Sequence, residues 1–145
     1  MSKVEDFLTA TQEQAIVLAI KNAEKNTSGE IRVHIEKTTE KPPMERALEV
    51  FYALKMDATE LKNGVLIYIA VESKKFAILG DEGINKLVPE NFWETEKQII
   101  LTHFKNNEFT LGLVTAIEEV GNKLKQFFPY QSDDTNELSD EISKG

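Results

Sequence analysis

The sequence predicts an α/β fold, a three-layer α/β/α sandwich on a small mixed sheet in a Rossmann-like arrangement. Three observations predict it. Apolar periodicity alternates along the chain in the order helix, strand, helix, strand, strand, helix, helix. The run "VLIYIAV" at 65–71 is apolar throughout, as a central strand covered on both faces must be. A strand, a crossover helix and a second strand then form a parallel, right-handed unit, which leaves helices on both faces.

Each element has its own signal. Thr11 with Gln14 reads as a capping box, followed by Ala15, Ile16, Ala19, Ile20 and Ala23 on one helical face. Asn26-Thr27-Ser28-Gly29 stops that helix. In "EIRVHIE", Ile31, Val33 and Ile35 alternate with Arg32, His34 and Glu36, which marks a strand. Pro42 and Pro43 lead into a helix with a stripe of Met44, Ala47, Leu48, Phe51 and Leu54. The strand at 65–71 follows, and Glu72 to Lys75 turn it into "FAILG" as an antiparallel hairpin. Glu90 to Phe104 reads as a helix carrying Phe92, Trp93, Ile99, Ile100 and Phe104. A last helix runs from Thr110 to Phe128 with Leu113, Val114, Ile117, Val120, Leu124 and Phe127, and Pro129 ends it.

The 145 residues suit one domain, assigned to 1–129, followed by an acidic tail at 130–145. Hydrophobic residues make up 41% and charged residues 29%, the balance of a soluble globular chain. The net charge of -8 opposes nucleic-acid and anionic-membrane binding. Five acids against Lys144 place -4 of it in the tail. Within that tail, Leu138 and Ile142 lie four apart and suggest a short amphipathic helix that docks on the domain or a protein partner. Without cysteine there is no disulfide, thiolate metal site or thiol nucleophile. No signal peptide is visible, and the longest apolar run is too short to span a bilayer, so the expected location is cytoplasmic.

The topology itself locates a site. If strands 30–36 and 64–71 are parallel and 76–79 returns antiparallel, one sheet edge gathers three loops. They bring Thr27, Ser28 and Glu30, then Asp57, Thr59 and Asn63, then Asp81 and Glu82. Hard cations such as calcium take six to eight oxygens of this type. Asp, Asn and Gly also populate ordinary turns, and that reading stands beside the metal. An EF-hand counted from Asp57 puts Lys62 at the glycine position and Tyr68 at the glutamate position, so it fails. Gly80-Asp81-Glu82-Gly83 matches no phosphate loop, and its carboxylates repel a phosphate unless a cation intervenes. His34 and His103 have no partner at catalytic spacing, and no nucleophilic triad assembles around Thr27 or Ser28. Trp93 beside Phe92 reads as core.

The blocks "AIKNAEKNTSGEIRVHIE", "NGVLIYIA", "KFAILGDEGINKLVPENFW" and "FTLGLVTAIEEVGNKLKQFFP" together resemble the TPM-domain family over roughly residues 8 to 129. That family includes the thylakoid acid phosphatase of photosystem II repair and many uncharacterised bacterial proteins. The resemblance implies an α/β/α sandwich, divalent-cation binding and, for plant members, acid phosphatase activity. The family's Thr-Gly-x-Glu turn is similar to Ser28, Gly29 and Glu30, without the intervening residue. Its Asp ahead of Asn-Gly is similar to Asp57 with Asn63 and Gly64, and its glycine-rich turn to Gly80 through Gly83. The chain departs at Asn85, where relatives carry an acid, and at Lys62, where a second acid precedes Asn-Gly. It also shows neither the secretion signal nor the membrane anchor of many relatives.

The expectation is a module that binds a divalent cation, calcium first, through Asp57, Asn63, Asp81, Glu82 and Glu30. The alternatives are a metal-assisted acid phosphatase and a protein-interaction module working through the tail.

Overall fold

The strand expected at 65–71 is β2 (Gly64–Ala70), and all seven of its residues are buried. The computed structural model describes residues 9–59, 61–70, 72–73, 75–88, 91–106, 108–129 and 142–144. β2 pairs in parallel with β1 (Glu30–Glu36), Glu30 opposite Gly64 and Glu36 opposite Ala70. It pairs antiparallel with β3 (Lys75–Gly80), as the hairpin required. A two-residue strand, β4 (Ser143–Lys144), joins the outer edge of β1 in parallel, giving the order β3-β2-β1-β4. Helices cover both faces of this mixed sheet.

On one face Ile31, Val33 and Ile35 of β1 and Val65, Ile67 and Ile69 of β2 meet three helices in one core. These are α1 (Ala10–Glu24), α4 (Phe92–Lys105) and α5 (Phe109–Phe127). On the other face Leu66, Tyr68 and Ala70 lie under α2 (Pro43–Ala53). A 3-10 turn at Met56–Ala58 precedes β2, and a one-turn helix, α3 (Glu82–Asn85), follows β3. Among the described residues no helix is long and apolar enough to cross a membrane.

Several local expectations shift. The capping box is Thr9 with Gln12 rather than Thr11 with Gln14. Both threonines precede a glutamine by three residues, but Thr9 has the extended backbone of a cap while Thr11 lies inside α1. The buried stripe of α2 is Ala47, Val50 and Phe51 with Leu54 packed beside them, whereas Met44 and Leu48 are exposed. A 3.6-residue period from Ala47 passes Val50 and Phe51 and leaves Leu48 on the far side. The helix expected from Glu90 starts at Phe92, and Glu90 is outside the described residues. Leu138, and with it most of the tail helix suggested by Leu138 and Ile142, lies outside the described residues. Ile142 packs against the main core, and the next two residues pair along β1.

Two polar groups in the interior have contrasting environments. The carboxylate of Glu36 receives both Nε and Nη2 of Arg46 at 2.9 Å, the Tyr68 hydroxyl, and His34 Nε2 at 3.2 Å. Burial alone pushes that carboxyl up, but the bonds from Arg46, Tyr68 and His34 pull it down to about 2. Glu96 on α4 is also buried, and its Oε2 has no hydrogen-bond partner among the described residues. Burial, then the charge of Glu119, pushes Glu96 up to about 7 against the opposing Lys123.

These two carboxyls act oppositely on stability. Glu36 binds its proton less readily when folded, so its contribution is present above its unfolded value of 4.5 and is lost as pH falls toward about 2. Arg46→Met is expected to destabilise by roughly 3 kcal/mol near neutrality and to flatten this acid limb, measured by urea unfolding. Glu96 binds its proton more readily when folded, so stability falls as pH rises from 4.5 through about 7. Glu96→Gln is expected to remove that decline in thermal melts between pH 5 and pH 8; a decline of unchanged slope would refute the assignment.

Candidate functional site

Three loops meet at one edge of the sheet because the strand ends are in register. Glu30 opens β1 opposite Gly64, and Gly80 closes β3 opposite Val65. Main-chain bonds then join loop to loop. The Glu30 N–H donates to the Asn63 carbonyl at 3.3 Å, Asp81 N–H to the Gly64 carbonyl at 2.9 Å, and Gly83 N–H to the Lys62 carbonyl at 2.9 Å. The convergence expected from topology is therefore built by backbone.

Each loop has a reason for its course. In 55–63, the 3-10 turn is anchored by fully buried Met56 and flanked by Lys55 at φ 58° and Lys62 at φ 54°, both left-handed. Two non-glycine residues in that region store backbone strain, which concentrates at functional sites. Lys62 Nζ reaches back to donate to the Asp57 carbonyl and ties the loop across its mouth. In 80–85, the acidic turn is the start of α3. Asp81 is its N-cap, with Oδ1 accepting from the Glu82 N–H at 2.7 Å.

Neither glycine of that turn adopts positive φ; both are needed for close approach. A Cβ on Gly83 would strike the Leu61 and Lys62 carbonyl oxygens, and one on Gly80 would strike the Trp93 ring. Trp93 is thus less a core residue than a floor beneath the turn. Its Nε1–H donates to Asn85 Oδ1 at 2.8 Å, while Asn85 Nδ2 donates to the Gly80 carbonyl at 2.9 Å.

The side chains at this edge divide clearly. Glu30 and Asn63 are buried, at 3% and 1% exposure, as is Thr59 at 2%. Ser28 Oγ, Thr59 Oγ1, Asn63 Nδ2 and Asp81 Oδ2 are shielded from solvent and make no hydrogen bond among the described residues. A 180° amide rotation of Asn63 brings its oxygen to the place of Nδ2. Burying a polar atom unpaired costs about 1–3 kcal/mol, so such a group of atoms calls for water or a bound ion. Asp57 is half-buried and Glu82 is exposed on α3. Thr27 is committed elsewhere: its hydroxyl donates to the Phe128 carbonyl and accepts from the Gly29 N–H. The loop at 27–29 is in this way tied to the end of α5.

Among the described residues no three Asp, Glu or His side chains gather as a metal cluster. A cation at this edge would therefore draw mostly on neutral oxygens, such as the Asn63 amide, the Thr59 and Ser28 hydroxyls and backbone carbonyls, with at most two carboxylates. That donor set suits calcium, which accepts neutral oxygens, better than a transition metal that seeks imidazole or thiolate. Both histidines serve other contacts. His34 bonds Glu36 and Ser143 toward the far end of β1, and His103 Nδ1 lies 3.3 Å from Glu108 Oε1 at the α4–α5 corner.

The family model described as the TPM domain, TPM phosphatase, matches residues 1–123. Among curated proteins none matches the chain. The solved NMR structure of the BA42 protein from the psychrophilic bacterium Bizionia argentinensis is 56% identical, with a TM-score of 0.91 and full coverage of both chains. The N-terminal domain of cg2496 from Corynebacterium glutamicum is 13% identical with a TM-score of 0.64, covering 81% of this chain and 74% of that one. An N-terminal domain from P. gingivalis is 15% identical with a TM-score of 0.67, covering 83% and 78%. These last two share the fold.

The seating of Gly83 on two carbonyls gives a direct test of the backbone construction. Gly83→Ala is expected to destabilise by roughly 1–3 kcal/mol through forced separation of loops 55–63 and 80–85, read as a shift in the urea midpoint. An unchanged midpoint would show that the two loops are not held together there.

Proposed function

The chain belongs to the TPM domain family, and from that premise we propose that it is a regulatory or non-catalytic module that binds a divalent cation, calcium first, at the loop edge of its sheet. Glu30, Asn63 and Asp81 are the central ligands of this reading, with Asp57 and Glu82 approaching from the rim. Thr59 and Ser28 supply neutral oxygens. The observation that supports it is that Ser28, Thr59, Asn63 and Asp81 each bury a polar atom without a hydrogen bond among the described residues. They lie on three loops joined by backbone bonds at this edge, where Glu30 is also buried.

A cation bound only by the folded state stabilises it by mass action, about 2.7 kcal/mol at a hundred times its Kd. For a chain of this size, that is a rise of roughly 5–10 °C in Tm. Calorimetric titration with calcium and magnesium is expected to show saturable calcium binding, lost or strongly weakened in Asp81→Ala. Absence of any calcium effect in the wild type, or an undiminished one in Asp81→Ala, sinks the assignment.

A metal-assisted phosphomonoesterase is the second reading. It is favoured by the description of the matching family model, TPM phosphatase. In that reading a bound cation would polarise a phosphoryl oxygen and lower the pKa of an attacking water. Hydrolysis of p-nitrophenyl phosphate across acid and neutral pH, with added metals, separates the two. Activity that depends on metal and falls in Asp57→Ala supports the enzyme; equal background in both proteins leaves the binding module.

A further inference from the structure

The outer edge of β1 carries a second recognition feature, independent of the cation site and roughly 13 Å along the strand from Glu30. At its start, the Ile31 N–H is taken by Glu24 Oε2 of α1 at 2.9 Å. At its far end, His34 and Ile35 pair with Ser143 and Lys144 of β4, the backbone pairing this edge receives among the described residues. An exposed strand edge is a template for an added strand, and side-chain pockets beside it give such additions their selectivity.

Three consecutive residues are read by three different chemistries. Ile142 packs against the main core. Ser143 Oγ lies 2.9 Å from His34 Nδ1, and Lys144 Nζ lies 2.7 Å from Glu13 Oε1 on α1. The histidine contact has a defined polarity. The Glu36 carboxylate can only accept, so Nε2 of neutral His34 carries the proton and Nδ1 accepts from the Ser143 hydroxyl. Burial, more than any charge, lowers His34 and keeps it neutral near pH 7. Arg46 and Tyr68 clamp Glu36, so the imidazole is held in place before any strand arrives. Beside Glu13, an open cavity of about 550 Å³ runs along α1 past Val17 and Leu18.

We propose that the edge of β1, with His34 and Glu13, is a groove for an extended peptide carrying an apolar–hydroxyl–cationic triplet, and that the chain's own Ile142-Ser143-Lys144 occupies it in cis. A partner protein presenting the same triplet competes with that segment. A tethered segment acts at an effective concentration near the millimolar range, so an external peptide gains access once the resident contacts are weakened.

The test uses the full chain labelled with nitrogen-15. Ile142→Asp with Lys144→Glu is expected to shift the amide signals of Glu13, His34 and Ile35 while the rest of the spectrum stays dispersed. A synthetic peptide of sequence LSDEISKG, residues 138–145, then restores those three signals saturably and binds the wild type about tenfold or more weakly. Glu13→Lys added to the released chain abolishes binding of that peptide, and a peptide with Lys144→Glu regains it. If the released chain shows no change at His34 and Ile35, or the peptide binds both proteins equally or neither, the proposal fails. A wild type that dimerises with concentration through the same signals also overturns it, because the occupant is then a second copy.

Discussion

Burial of β2 on both faces is the constraint from which the rest of the architecture follows. A strand with no solvent face needs two layers of cover, and the chain supplies them unequally. Three helices close one side and α2 closes the other. Parallel pairing with β1 demands a crossover, and the antiparallel return of β3 needs only a turn. Together these place the starts of β1 and β2 and the end of β3 at one edge. The candidate site is thus a by-product of how a doubly buried strand acquires its neighbours.

Much of this was legible in the sequence, and for identifiable reasons. "VLIYIAV" announced its two-sided burial, "EIRVHIE" its alternation, and the intervening Pro-led helix its crossover. With the returning strand "FAILG", those features brought the loops that carry Glu30, Asn63 and Asp81 to one sheet edge, as the register of β1, β2 and β3 has them. What escaped depended on partners distant in sequence. The sequence offered Gly80–Gly83 as a turn with candidate ligands Asp81 and Glu82, but not that Asp81 caps a helix whose Asn85 links Trp93 to the Gly80 carbonyl. The role of Gly83 lies in carbonyls of another loop. Periodicity carries no trace of such contacts. Likewise the strand at 143–144 depends on a histidine 109 residues earlier, which no local pattern encodes.

The two ends of β1 serve different chemistries and are supported differently. At the Glu30 end, Ser28, Thr59, Asn63 and Asp81 each keep a buried polar atom without a hydrogen bond among the described residues. At Glu36 the reverse holds: one carboxylate is saturated by Arg46, Tyr68 and His34, and the imidazole is oriented as a result. A saturated network rigidifies its surroundings. The contrast lies within the seven residues of β1.

The loop-to-loop bonds at the edge run entirely through main chain, from Glu30, Asp81 and Gly83 to Asn63, Gly64 and Lys62. Amide and carbonyl groups persist through every substitution except proline at a donor. The platform can consequently exchange one oxygen-bearing side chain for another without re-aiming its loops. Exposed side chains at this edge, such as Glu82, can then change while the backbone frame that brings the three loops together stays in place.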